Sequence, residues 1–235
     1  MEIIDRPSPN FDERPVGASV ALVVLHYTAM EGCEAAAERL CNPECEVSAH
    51  YLIARDGTLF RLVEEDKRAW HAGAGAWAGQ DGVNARSIGI ELDNDGKAPF
   101  DEPLMTTLEA LLADILERYE LPPKAVIGHS DMAPERKQDP GRHFDWQRLV
   151  EAGLSIWPDP AIPTDFLSDA GRFGYPVEAG EAHILEAFRQ RFRPEATGPL
   201  STADMAMMAG LARQHPADVT ERATGRIASR PLHTL

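Results

Sequence analysis

Residues 125–139 read AVIGHSDMAPERKQD, and the parsing of this stretch decides the fold. Ala125-Val126-Ile127 is a short apolar run of strand type, closed by Gly128-His129-Ser130. A Pro- and charge-rich loop carrying Lys137 and Asp139 follows. A strand that delivers a histidine into such a loop is a common frame for a metal site. The strand fixes the imidazole, and the loop folds a second ligand back onto it. Alone, however, a histidine after a buried strand is more often a satisfied structural residue, so the reading depends on partners elsewhere.

Upstream, Ser19–Leu25 is a continuous apolar run, the pattern of a strand buried on both faces, and it ends in Leu25-His26-Tyr27-Thr28. His26 is thus a second strand-terminal histidine. Val47–Ala54 (VSAHYLIA) is a strand, Asp56-Gly57 a turn, and Leu59–Val63 its hairpin partner. Ser87–Asp93 (SIGIELD) is another strand, with Glu91 inside its apolar run. Helices are expected over Glu31–Leu40, Pro103–Tyr119 and Phe144–Leu154. The second carries Leu104, Leu108, Leu111, Leu112, Ile115 and Leu116 on one stripe. Its start is marked by Pro103 and its end by Leu121-Pro122-Pro123. The alternation predicts an α/β fold, a central mixed β-sheet flanked by helices. Residues 1–18 read as an extended, Pro-rich lead-in, and 70–87 (WHAGAGAWAGQDGVNARS) as a long Gly- and Trp-bearing loop beside a ligand.

Beyond this unit, residues 1–157, the segment Ile156–Pro163 is a linker by its three prolines. Residues 164–213 then form a small all-α unit, with Ile184, Leu185, Phe188 and Phe192 at helical spacing and a second helix over Ala203–Leu211. Residues 214–235 lack periodicity and read as a tail.

The 235-residue chain has 43% hydrophobic residues, enough for a packed core, and a net charge of −15. That charge excludes an electrostatic phosphate-binding surface, so nucleic acid is not an expected partner. Val20–Leu25 is far shorter than the ~20 residues of a membrane span, and no obligatory protein partner is evident. The opening MEIIDRPSPNFDERP is acidic and Pro-rich where a secretory leader would be basic and then apolar. A cytoplasmic protein is expected, or a periplasmic one if a leader was removed. Cys33, Cys41 and Cys45 are odd in number, which fits a reducing compartment. Their spacing to His50 matches no tight zinc knuckle, so small buried thiols are expected there.

The strand ends supply the partners. His26, His129 and Asp139 are two imidazoles and a carboxylate, a three-ligand zinc set that leaves the fourth position for water. Glu91 is the candidate general base, because a carboxylate inside an apolar strand is costly without a role. Lys137 is the candidate to stabilise a developing oxyanion. His143, four residues after Asp139, is a competing ligand, and His50 reads either as a histidine supporting a ligand from behind or as a structural one.

The segments VVLHYTA, SAHYLIARDGTLFRLV, AWHAG, NARSIGIELDN and GHSDMAPERKQDPGRHFDW resemble the type 2 family of zinc N-acetylmuramoyl-L-alanine amidases, in its AmpD- and AmiD-like bacterial branch. The resemblance covers about residues 19–154. It implies one zinc per chain on His26, His129 and Asp139, with Glu91 catalytic and Lys137 at the transition state. The implied reaction is hydrolysis of the amide between N-acetylmuramic acid and L-alanine in peptidoglycan fragments, (1,6-anhydro)muropeptides of cell-wall recycling. It further implies a muropeptide cleft at Trp70, His71, Asn84 and Arg86. Residues 164–213 resemble a peptidoglycan-binding-like three-helix domain, through FGYP, HILEAFRQRFRP and TADMAMMAGL. Rival readings are a non-catalytic muropeptide-recognition module, an exported amidase acting on intact peptidoglycan, and a zinc hydrolase for another amide. The first predicts a lost ligand, and none is lost.

Overall fold

The computed structural model describes residues 2–217, so most of the expected tail lies outside the described residues. The strands are β1 (Ile4–Asp5), β2 (Phe11–Glu13), β3 (Leu22–Tyr27), β4 (Tyr51–Ile53), β5 (Leu59–Arg61), β6 (Lys67–Ala69), β7 (Ser87–Leu92) and β8 (Val126–Gly128). The helices are α1 (Cys33–Cys41), α2 (Glu102–Arg118), α3 (His129–Met132), α4 (Trp146–Glu151), α5 (Phe166–Phe173), α6 (Glu181–Phe192) and α7 (Thr202–Gln214). Six strands form one mixed sheet in the order β1-β5-β4-β7-β3-β8, and β2 pairs with β6 in a separate two-stranded sheet. Strands β4, β7, β3 and β8 run parallel, which is the expected central mixed sheet.

Both faces of the sheet are covered, which is why β3 reads as a continuous apolar run rather than an alternating one. Val23, Leu25, Ile88, Ile90 and Val126 pack against the stripe of α2 and against Trp146 and Leu149 of α4. On the opposite face, Leu22, Val24 and Ile127 pack against Phe166, Phe173 and Phe188 of α5 and α6, and Met208 of α7 joins the same core. Further along that second face, Leu52 and Leu62 pack against Ala36, Ala37 and Leu40 of α1. Two separate groups of helices therefore share one face. The stretch of sheet between them is the end of β3 and β7.

The helical segment after residue 163 shares its apolar core with the sheet. A buried ion pair reinforces the contact: Arg191 of α6 donates to Asp131 of α3 at 2.8 Å and to the Val126 carbonyl of β8 at 3.0 Å. Tyr175 adds a hydrogen bond from its hydroxyl to Asp131 at 2.7 Å. Asp131 in turn accepts from the Gly128 amide at 2.8 Å. Helix α6 is thereby tied to the turn that carries His129.

Some elements depart from expectation. The lead-in carries β1 and β2, and the expected helix over Phe144–Leu154 spans only Trp146–Glu151, where Asp145 caps it by accepting from the Arg148 amide at 3.0 Å. Among the described residues no helix is long and apolar enough to cross a membrane.

Candidate active site

Parallel register assembles the site. On β3 and β7, His26 stands opposite Glu91, and Leu25 stands opposite Gly128 of β8, so His129 emerges beside His26. All three side chains thus leave the carboxyl ends of neighbouring parallel strands, where open α/β sheets place ligands. The loop after His129 folds back as expected. The Ser130 amide donates to the Asp139 carbonyl at 2.9 Å, which returns Asp139 to the histidines.

His26 Nδ1, His129 Nδ1 and Asp139 Oδ2 form a triangle with each side 2.9 Å. All three residues are buried. The tautomers follow from what lies behind the rings. The Ser87 hydroxyl has one proton and donates it to the Val83 carbonyl at 2.7 Å, so it accepts from His71 Nε2 at 3.1 Å. His71 Nδ1 is then bare and accepts from His26 Nε2 at 3.0 Å. That leaves the His26 Nδ1 lone pair pointing into the triangle. His129 donates Nε2–H to the Ala72 carbonyl at 2.9 Å, which turns its own Nδ1 lone pair the same way. Burial, reinforced by the neighbouring His129, lowers His26 to about 4 and keeps it neutral near pH 7. Burial and the surrounding histidines push His71 well below the usual histidine range too. Two imidazole lone pairs and a carboxylate oxygen, with no proton between them, repel one another unless they share a cation. The donor set therefore fits a divalent metal with three protein ligands. Among the described residues this is the only such grouping of histidine, cysteine and acidic side chains.

The triangle belongs to a cavity of about 630 Å³, which Glu91 and Lys137 also line. The Glu91 Oε2 atom is buried and has no hydrogen-bond partner among the described residues. Burial, and then the Asp139 charge, raise the Glu91 carboxyl well above the usual range, while Lys137 pulls it back.

Residues 16–142 match the family model described as N-acetylmuramoyl-L-alanine amidase. The chain belongs to that family. It is 34% identical to the amidase AmiD of Escherichia coli over 74% of this chain and 75% of that one. The structure of E. coli AmiD with anhydro-N-acetylmuramic acid-L-Ala-D-gamma-Glu-L-Lys superposes with a TM-score of 0.78 at 30% identity, covering 89% of this chain and 99% of that one. AmpDh3 of Pseudomonas aeruginosa in complex with anhydromuramic pentapeptide also reaches a TM-score of 0.78, at 33% identity over 90% and 96% of the two chains. The 1,6-anhydro-N-acetylmuramyl-L-alanine amidase AmpD of Haemophilus influenzae is 32% identical over 62% of this chain and 89% of its own.

In this amidase the loop 70–87 divides its labour. Of the four residues expected in the cleft, His71 lines the cavity, but behind His26. Gly89 of β7 makes room for it: a Cβ there would stand 2.3 Å from the imidazole. Trp70, Asn84 and Arg86 do not line the cavity. The Trp70 indole donates to Asp12 at 2.7 Å. Asn84 Oδ1 accepts from the amides of His71 and Ala72, at 3.1 and 2.8 Å, and so sets both the His71 ring and the carbonyl that orients His129. Arg86 donates to the Trp77 carbonyl at 2.7 Å. Trp77 itself packs edge-on against Phe173 and Tyr175 of the helical segment.

His143 is exposed and stands outside the triangle. His50 is buried and structural, accepting from the Gly89 amide at 3.0 Å. The three cysteines are half-buried free thiols. Among the cavity residues that sequence reading did not single out are Arg39 of α1 and His183, Glu186 and Gln190 of α6. The last three stand at the i, i+3, i+7 spacing of one helix face, a signal present in the sequence but dwarfed by the apolar stripe beside it.

Proposed function

We propose that this amidase holds one zinc ion on His26, His129 and Asp139. Its reaction is hydrolysis of the amide between the lactyl group of N-acetylmuramic acid and L-alanine, in soluble muropeptides that include 1,6-anhydro forms. Residues 1–157 are the catalytic unit and 164–213 the helical unit beside it. The observation that carries the reading is the triangle of three proton-free acceptors in a cavity shared with Glu91 and Lys137. The ligands named with AmiD and AmpDh3, both anhydromuramyl peptides, support the substrate.

Bound there, zinc supplies Lewis-acid polarisation of the scissile carbonyl and acidifies an attacking water. Glu91, whose carboxylate has no hydrogen-bond partner among the described residues, takes the proton of that water and returns it to the departing amine. Burial raises its affinity for protons, which favours its accepting one from water. Lys137, half-buried on the returning loop, brings a positive charge to the carbonyl oxygen as it becomes anionic. His71 and the Ala72 carbonyl keep the ligand lone pairs inward throughout.

The test is mass spectrometry of products from anhydro-N-acetylmuramyl-L-Ala-D-γ-Glu-L-Lys. Wild type should yield anhydro-N-acetylmuramic acid and a free tripeptide. Glu91→Ala should keep its zinc and lose roughly 10²–10⁴-fold in rate. Wild-type turnover in that variant would remove Glu91 as the base.

A further inference from the structure

The cavity has two unlike walls. One comes from α1 and its flanks, with Met30, Ala36, Leu40 and the guanidinium of Arg39. The other comes from α6, with His183, Glu186, Ala187 and Gln190. These α6 residues form one stripe of the helix, while Ile184 and Phe188 on the other side are locked into the core shared with the sheet. The wall is also fixed at its ends. Arg191 binds Asp131 behind His129, and Arg142, just past Asp139, donates to Glu186 and to the Pro194 carbonyl, both at 2.5 Å.

We propose that α6 is the sugar-binding wall of the amidase cleft. In it, His183 and Gln190 accept hydrogen bonds from the hydroxyl and the acetamido N–H of the muramyl ring, with Glu186 between them held by Arg142. This rests on the muropeptide reading given above, and it makes the helical unit part of the active site rather than a separate wall-binding module.

The wall consists of acceptors. His183 donates its Nδ1–H to the Ala179 carbonyl at 2.9 Å, which leaves Nε2 as a lone pair. Gln190 is buried and directs its Nε2–H toward Glu186 at 3.4 Å, and its carbonyl oxygen has no donor among the described residues. A buried acceptor left unmet is costly, and a ligand that brings a donor removes the cost. Such a surface calls for a ligand part that sets donors side by side. Two parts of an anhydromuramyl-L-Ala-D-γ-Glu-L-Lys molecule do so, the sugar, with its one free hydroxyl and its acetamido N–H, and the lysine ammonium. The charge balance chooses between them. Arg142 neutralises Glu186, so the wall offers lone pairs with little net negative charge, which suits hydroxyls and amide N–H groups better than an ammonium. The opposite wall completes the orientation. Arg39 has no acidic or carbonyl partner among the described residues, and a guanidinium in that state suits the free α-carboxylate of a γ-linked glutamate. The peptide then runs along α1 and the sugar along α6, with the scissile amide between them.

The experiment compares kcat/KM on two substrates with the same scissile bond. These are anhydro-N-acetylmuramyl-L-Ala-D-γ-Glu-L-Lys and D-lactoyl-L-Ala-D-γ-Glu-L-Lys, which lacks the sugar. Wild type should prefer the first. His183→Ala, at an exposed position, and Gln190→Leu, of similar shape, should each shrink that preference by about three- to tenfold, the worth of one hydrogen bond. Three results would overturn the assignment: no wild-type preference, equal losses on both substrates, or a changed preference that vanishes when the lysine is replaced by norleucine. Wild type that cleaves neither substrate would instead sink the amidase reading itself.

Discussion

Strands β3 and β7 show two different faces. To one side they present Val23, Leu25, Ile88, Ile90 and Leu92, a sealed apolar layer under α2 and α4. To the other, by the alternation of a strand, they present Val24 and then His26, and Ser87, Gly89 and Glu91. One helix pair suffices to cover the first face. The second is covered in two parts, by α1 over β4 and by α5–α7 over β3 and β8, and the cleft is the gap between. A strand can carry an ionisable residue at little penalty only where the layer above it is interrupted and the residue finds a partner or a ligand.

That contrast can be broken by mutation. Arg191→Ala, on the cleft side, strips a buried carboxylate of its partner and should cost about 3–5 kcal/mol of stability. It should also weaken metal binding, because Asp131 holds the Gly128 amide next to His129. Urea unfolding and metal titration would read the two effects. Leu108→Ala, on the sealed side, should cost about 2–5 kcal/mol through the cavity it leaves, with metal affinity intact. Equal loss of metal binding in both variants would erase the distinction between the faces.

A smaller effect comes from pH. Burial lowers His50 to about 4, whereas in the unfolded chain it titrates near 6.5. Between those values the unfolded state binds more protons, so stability rises with pH across this window and is lost as pH falls through it. His50 alone should remove roughly 2 kcal/mol at pH 5 relative to pH 7.5. Urea midpoints that stay flat over that range would show that the histidine is not held neutral.

How much of this the sequence discloses depends on how local the cause is. Strand β3, helix α2 and the strand-to-loop form of residues 125–139 follow from runs of apolar residues; α2 lies within one residue of expectation, while β3 starts three residues later and runs on through His26 to Tyr27. His26, His129 and Asp139 come together because parallel register does what their positions at strand ends suggest. Strands β2 and β6 were illegible because their pairing is electrostatic. Asp12 and Glu13 stand across from Arg68 and Lys67, so no apolar alternation marks either strand. Helix α5 starts at an Asp165 cap, which accepts from the Ser168 amide at 2.7 Å, and its polarity is strongly one-sided, but eight residues are too few for periodicity alone to separate a helix from a loop. The Trp-, Asn- and Arg-bearing loop was legible as a loop beside the site. That Trp70, Asn84 and Arg86 bond to the protein itself depends on contacts with residues remote in sequence, such as Asp12. The α6 wall was the hardest part, since nothing near residues 183–190 refers to strands more than fifty positions away.

The proposed metal site rests on His26, His129 and Asp139 presenting three proton-free acceptors to one ion. Elemental analysis of purified protein tests it most directly. Wild type should carry about one zinc per chain, as a single three-ligand site implies, and folded His129→Ala should carry almost none. A zinc-free wild type after exposure to excess zinc, or a His129→Ala protein that retains its full zinc, would contradict it.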